Sequence, residues 1–517
     1  MVPEQRPTSQ HETAGIPIMP QPSTDVQNSP LTSSYHSLQQ SPPPQTRSRC
    51  SAFLRYNVVQ RTLSAAVLAP AVTVFLWLSP AIATSTVCSF MTSTCSYEYA
   101  CLANRIRLRL LTRFEALESS LGSATRPGAG NSDLSHPDTR SDSESSSSSF
   151  AFDVTASRTF VFDSPANTQL HQRLSTDGRL TTTRAFQEEQ EAREMAQVNS
   201  ELKEQAPRLR RCAVTDVAKY LFGGKEWLAA LCISALMCTI SSCIFLLAIQ
   251  DIPVLVTTEF YASRWFYTVA TGFVAAMCAC LSPDWQYAVV IFLQNAIFTT
   301  LTLHSTACPM NELSCNMAIK PAQILLTGMI VFLIFRFATS RSNAEAFLTF
   351  TLDAVGLIYI IGTLSVLVAF VDDERRTLYR KLLIALLYVV WASDTGAYIT
   401  GKLLAMAKYP YYNPLAAHLS KNKDYEGTLG AIGFGIVAMV VSSDILDLPG
   451  SFGTKVVFTI VAVVIGRLGD LFESLLKRAA GVKDSGTLIP GHGGVLDRID
   501  ALMFATLVFS RYYAMVY

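Results

Sequence analysis

Apolar runs of about 18 to 25 residues recur along this chain, separated by short polar breaks, and that rhythm predicts α-helices that cross a bilayer. About ten such runs stand out, at 64–84, 227–249, 265–282, 286–304, 320–337, 346–371, 381–400, 428–446, 454–473 and 495–516. A weaker stretch at 86–103 contains VCSFMTSTCSYEYACL and reads as either an eleventh span or an interfacial helix. Backbone groups in lipid must be satisfied internally, and these runs are too long and too evenly apolar for barrel strands. The expected fold is all-α, a polytopic transmembrane helical bundle of about 10–11 spans.

Composition agrees with the pattern. The 517 residues are 50% hydrophobic and 16% charged, against about 25% charged in an ordinary soluble domain. Net charge is +1 and no basic stripe with interleaved aromatics occurs, so no nucleic-acid partner is expected. The 12 cysteines show no paired C-x-x-C spacing and none lies beyond Cys315, which excludes a cysteine metal site or thiol nucleophile from the C-terminal third. Cys308 and Cys315 share one short loop; they form a disulfide if it faces an oxidising lumen, and two unpaired thiols otherwise.

Four regions follow. Residues 1–60 are rich in Ser, Pro, Gln and Thr and poor in acids, a composition that cannot bury a core and reads as disordered. Arg6, Arg47, Arg49, Arg55 and Arg61 precede the first apolar run, so a targeting signal stands as an alternative to a retained first transmembrane region at 61–103. Residues 104–225 form a polar, Ser-rich insertion with SDSESSSSS at 141–149, a charged helical piece at 186–205 and basic ends. Residues 226–517 are nearly all membrane-embedded and form the expected catalytic domain. Within them, the polar loops 401–427 and 477–494 are separated by two spans and therefore face the same side, which their lysines and arginines assign to the cytoplasm-like face. The loop at 372–380 should lie opposite, yet it carries Arg375, Arg376 and Arg380 beside acids, a partial conflict with that rule. No internal repeat of the transporter kind is evident.

Ionisable residues inside apolar spans are costly and mark sites. Asp394 sits in VVWASDTGAYITGK, Asp470 and Glu473 in IGRLGDLFESLLKR, and Asp497 and Asp500 in GGVLDRID, while Asp353 stands apart in another span. On a helix, Asp470, Glu473, Ser474 and Lys477 share one face. Interhelical salt bridges, with Asp470 on Arg467 or Lys477, would account for single residues but not for the glycines. Gly491, Gly493 and Gly494 around His492 leave the backbone bare, as close approach of amides to phosphate oxygens requires. Carboxylates for a hard divalent cation, Lys and Arg for phosphate charge and exposed amides are the parts of phosphoryl or nucleotidyl transfer. No Walker A motif is present, which excludes a P-loop enzyme.

The stretch SLLKRAAGVKDSGTLIPGHGGVLDRID resembles the signature of phosphatidate cytidylyltransferases, and its fixed positions are met by Ser474, Lys477, Arg478, Lys483, Asp484, Gly486, His492, Gly493, Gly494, Asp497, Arg498 and Asp500. Upstream, WASDTGAYITGK with Asp394, Gly396, Ala397 and Tyr398, and GDLFES, resemble further family segments; the likeness covers about 226–517, with a fainter echo at 60–102. The loop SKNKDYEG departs from the family pattern, with Lys421, Asn422 and Asp424 in place of proline, lysine and threonine, while Lys423, Glu426 and Gly427 remain. That departure bears on how the nucleotide is held.

The resemblance implies transfer of CMP from CTP to phosphatidic acid, giving CDP-diacylglycerol and pyrophosphate, with Mg2+ and room for a second cation at the same site. It implies Asp470 and Asp497 as metal ligands, and Lys477, Arg478, Lys483 and Arg498 as phosphate contacts. Asp484 and Asp500 are supporting or additional metal groups in the catalytic set, and His492 a hydrogen-bond donor or loop anchor. Asp394, Lys423, Glu426, Ser474, Gly493 and Gly494 fall to substrate binding. The implied partners are CTP, phosphatidic acid, the bilayer and a second copy in a homodimer. Two other readings compete: a CTP-dependent lipid alcohol kinase acting on a polyprenol or phytol, and a transporter. The C-terminal segment resembles the bacterial and plastid branch, which favours a plastid-type organelle membrane over the endoplasmic reticulum or mitochondrion.

Overall fold

The computed structural model describes residues 69–78, 81–124, 196–200, 211–256, 259–307, 320–369, 376–407, 413–416, 419–486 and 493–516, with a few single positions between them. The first 60 residues, the Cys308 and Cys315 loop, most of the Ser-rich insertion, Arg375 and His492 lie outside the described residues.

The principal helices are α1 (Ala69–Leu78), α2 (Ala81–Ala124), α3 (Glu226–Ile249), α4 (Glu259–Cys280), α5 (Trp285–Ala307), α6 (Pro321–Thr339), α7 (343–369), α8 (Arg376–Met406), α9 (Tyr425–Leu446), α10 (Phe452–Ala480) and α11 (Leu496–Val516). Among the described residues, 7 helices are long and apolar enough to cross a membrane: α3, α5, α6, α7, α8, α9 and α11. The chain is an all-α, multi-pass membrane protein. A two-stranded antiparallel hairpin, β1 (Pro414–Ala416) and β2 (Ser420–Asp424), leads into α9.

The N-terminal part is built differently from the pattern of runs. The span expected at 64–84 falls on α1 and the start of α2, with Pro80 between them. The weak stretch at 86–103 is the middle of the 44-residue α2, which carries the helix past residue 104 to Ala124. Its hydropathy is weak because Ser85, Ser89, Thr92, Ser93 and Ser96 share the buried face with Cys88, Cys95, Tyr99 and Leu102. Small side chains let helices approach closely in a membrane bundle, so this face packs with only part of it apolar. α2 contacts α4, α5, α7, α10 and α11 and so runs through the centre of the molecule.

The core joins residues of α2, α5, α7, α8, α10 and α11. At one end, α6 and α7 are clamped by a fully buried ion pair: Arg336 donates to Asp353 Oδ2 at 2.5 Å and Oδ1 at 3.1 Å. Arg336 also donates to Gln286 of α5 at 2.8 Å and lies 5.2 Å from the Tyr287 ring centroid. Asp353, isolated in the sequence, is thus half of a structural pair. α7 is interrupted by a π-helical turn at Leu357–Gly362.

Candidate active site

α10 and α11 pack side by side, and the glycine-bearing loop between them brings two sets of carboxylates to one region. On α10, Glu473 is buried to 1% exposure and Ser474 is buried beside it. Lys477, one turn on, bridges the helices: its Nζ lies 2.5 Å from Glu473 Oε2 and 2.7 Å from Asp497 Oδ1. Oxygen atoms of Asp470, Glu473 and Asp500 all lie within 4.8 Å of one another. Three buried or half-buried carboxylates so close repel unless cations surround them. Lys423 of β2 is ion-paired with Asp470, and also donates to the Asp470 carbonyl at 2.8 Å and to Ser474 Oγ at 3.1 Å. Arg467 stands 3.7 Å from Asp470 and 3.8 Å from the exposed Asp394. The two polar loops that the sequence places on one side therefore meet, through Lys423, at the carboxylates.

The expected metal pair Asp470 and Asp497 differs from this cluster by one turn of α11. Asp497 is already filled by protein donors: besides Lys477, its Oδ2 accepts from Ser485 N at 3.0 Å, Ser485 Oγ at 3.0 Å and Gly494 N at 2.9 Å. Asp500, a turn further, faces Asp470 and Glu473. Glu473 Oε1 has no hydrogen-bond partner although it is buried. An all-oxygen, carboxylate-rich donor set with one buried oxygen unmatched fits a hard divalent cation.

The signature loop owes its shape to a residue that the sequence reading missed. Glu98 of α2, 1% exposed, accepts from Val495 N at 3.0 Å and Leu496 N at 2.8 Å, and from Ser485 Oγ at 3.3 Å. It thereby satisfies amides at the start of α11 that have no partner within the helix. Gly494 must be glycine here, because a Cβ would meet the Glu98 carboxylate at 2.6 Å. Gly493 adopts φ +84°, a left-handed conformation that strains other residues. A lone carboxylate in the stretch SYEYACL was the available signal.

The remaining sequence-predicted residues occupy supporting positions. Arg478 donates to Leu419 O at 3.3 Å, tying the hairpin to α10. Lys483, Asp484 and Arg498 are exposed on the loop and at the start of α11. Glu426 accepts from Asn413 at 2.7 Å. Asp424 caps α9 by accepting from Gly427 N at 2.8 Å; aspartate and threonine both serve as N-caps, so its departure from the family pattern preserves the cap.

The profile of the cytidylyltransferase family matches residues 221–516, more than half of the chain. A phosphatidate cytidylyltransferase of Staphylococcus epidermidis is 36% identical over 184 residues, which is 35% of this chain and 66% of that protein. One of Bacillus subtilis is 38% identical over 159 residues, 30% of this chain and 57% of its own length. One of Haemophilus influenzae is 40% identical over 139 residues, 26% and 46% respectively. The chain thus spans less than two thirds of each of these curated relatives. The signature loop, held by Glu98 and Asp497, lies inside the matched region while Glu98 itself precedes it, and on that match the chain belongs to the cytidylyltransferase family.

Proposed function

We propose that this protein transfers CMP from CTP to phosphatidic acid, forming CDP-diacylglycerol and pyrophosphate in phospholipid biosynthesis. The observation that carries the reading is the cluster Asp470, Glu473 and Asp500, with Lys423 and Lys477 against it, beside a signature whose Lys483 and Arg498 are exposed. The names of the relatives and the composition of the loop support it. A plastid-type organelle membrane is the favoured location, with the endoplasmic reticulum and mitochondrion as alternatives, and a homodimer belongs to the same reading.

The chemistry asks little of a general base. The phosphate monoester of phosphatidic acid is a competent nucleophile at neutral pH; its oxygen bonds to the α-phosphorus of CTP as the bond to pyrophosphate breaks. Asp470, Glu473 and Asp500 would hold Mg2+, which supplies positive charge against the charge that builds on the leaving group. Lys483 and Arg498, exposed on the solvent side, orient the triphosphate, while Lys477 and Asp497 hold the loop that carries them.

The test uses purified protein in detergent with phosphatidic acid, Mg2+ and CTP labelled in the cytidine or in the γ-phosphate. Cytidine label in extracted lipid, with equimolar pyrophosphate, is expected, and Glu473→Gln should abolish it. Label from the γ-phosphate in lipid alcohol would make the protein a kinase. No label in lipid from either nucleotide overturns the reading.

A further inference from the structure

The π-helical turn in α7 places one side chain where an uninterrupted helix would not. α7 is regular over Asn343–Gly356, widens to a π turn at Leu357–Gly362, and is regular again over Thr363–Ala369. Such a turn adds a residue to the helix and rotates the side chains beyond it, and π turns cluster at functional sites. Leu357, Ile360 and Ile361 are fully buried in the apolar core. Tyr359, 4% exposed, turns instead to α10 and α11: its ring stands edge-on to Phe472 at 5.0 Å and tilted to Phe504 at 5.9 Å.

Phe472 is the chain neighbour of Glu473 on α10, and Phe504 lies one turn beyond Asp500 on α11, so the Tyr359 ring packs against the two helices that carry the carboxylates. Asp500, Glu473 and Asp470 lie near enough to act on the buried Tyr359 hydroxyl, as does Cys95. The hydroxyl is buried and has no hydrogen-bond partner, and the same holds for Glu473 Oε1. Burying a hydroxyl without a partner costs about 1–3 kcal/mol. Phenylalanine would make the same ring contacts without that cost, so packing alone does not account for tyrosine.

We infer that Tyr359 is a further positioning residue of the site, its hydroxyl accepting a hydrogen bond from a water, or donating one to a phosphate oxygen, that a divalent cation holds at Asp470, Glu473 and Asp500. The inference rests on the proposed reading of that cluster. A donor fits this place: the surrounding protein oxygens are all carboxylate acceptors, and an oxygen bound to a cation is a strong acceptor for a neutral hydroxyl when it belongs to phosphate. Tyr359 touches no leaving group and takes no proton. It fixes the geometry of what the cation carries.

The experiment titrates Mn2+ into the purified full-length protein in detergent, without nucleotide, followed by electron paramagnetic resonance, for the wild type, Tyr359→Phe and Glu473→Gln. Thermal unfolding and the Mg2+ dependence of turnover are measured on the same samples. The wild type should bind Mn2+ and Glu473→Gln should not. Tyr359→Phe should unfold at the same or a higher temperature, bind Mn2+ about three- to tenfold more weakly, and need correspondingly more Mg2+ for half-maximal turnover. Unchanged Mn2+ affinity and Mg2+ dependence in Tyr359→Phe, with the wild type binding normally, overturns the inference alone. A wild type that binds no Mn2+ overturns the cluster reading, and this inference with it.

Discussion

Glutamate at position 98 can accept with both oxygens, and the signature loop uses both. Glu98→Gln keeps the shape but turns an amide N–H toward either Val495 N–H or Leu496 N–H, a donor against a donor. A buried donor left unmatched costs about 1–3 kcal/mol, enough to shift the loop between arrangements. Turnover is expected to fall about 10- to 100-fold while the unfolding temperature moves little; equal turnover in the variant would show that the loop does not depend on this acceptor. Residues at this scale were unequally legible. Asp470, Ser474, Lys477 and Asp500 declared themselves by spacing, because a helix puts every third or fourth residue on one face. Glu98 did not, since its partners are nearly 400 residues away and are backbone amides that any sequence supplies. Asp497 and Asp500, one turn apart on α11, differ in their partners: Asp497 accepts from the loop amides and from Lys477, and Asp500 faces Asp470 and Glu473.

Among the elements, α6 and α7 are joined by a polar contact with no aqueous route to relax. Removing one member of a buried ion pair leaves the other charge without a partner and costs about 3–5 kcal/mol, whereas replacing both with apolar residues is often close to neutral. Arg336→Met or Asp353→Leu alone should therefore lower the unfolding temperature in detergent more than the double variant does, and additive losses would argue against the clamp. Helices with continuous apolar faces were readable from the chain: α3, α5, α6, α9 and α11 fall close to the runs predicted for them. α2 was not, because serine and threonine among its buried residues dilute the hydropathy signal. The π turn left no mark in composition either, since its residues LIYIIG are ordinary membrane residues.

For the whole molecule, the segment that matches the family begins at residue 221, yet Glu98 and the rest of α2 precede it. A chain beginning at residue 211 keeps every matched residue and every signature position. It should insert into membranes and show no turnover, and supplying residues 1–124 as a separate chain should restore it; activity in the shortened chain by itself would mean that α10 and α11 order their loop unaided. Arg105 and Arg109 of α2 add to this dependence, donating to Ala480 O at 3.0 Å and Ala479 O at 3.0 Å at the end of α10. Transplanting this chemistry onto another membrane scaffold would accordingly mean moving two stretches that are distant in the gene, one around α2 and one from α7 to α11, since neither alone encloses the reacting groups.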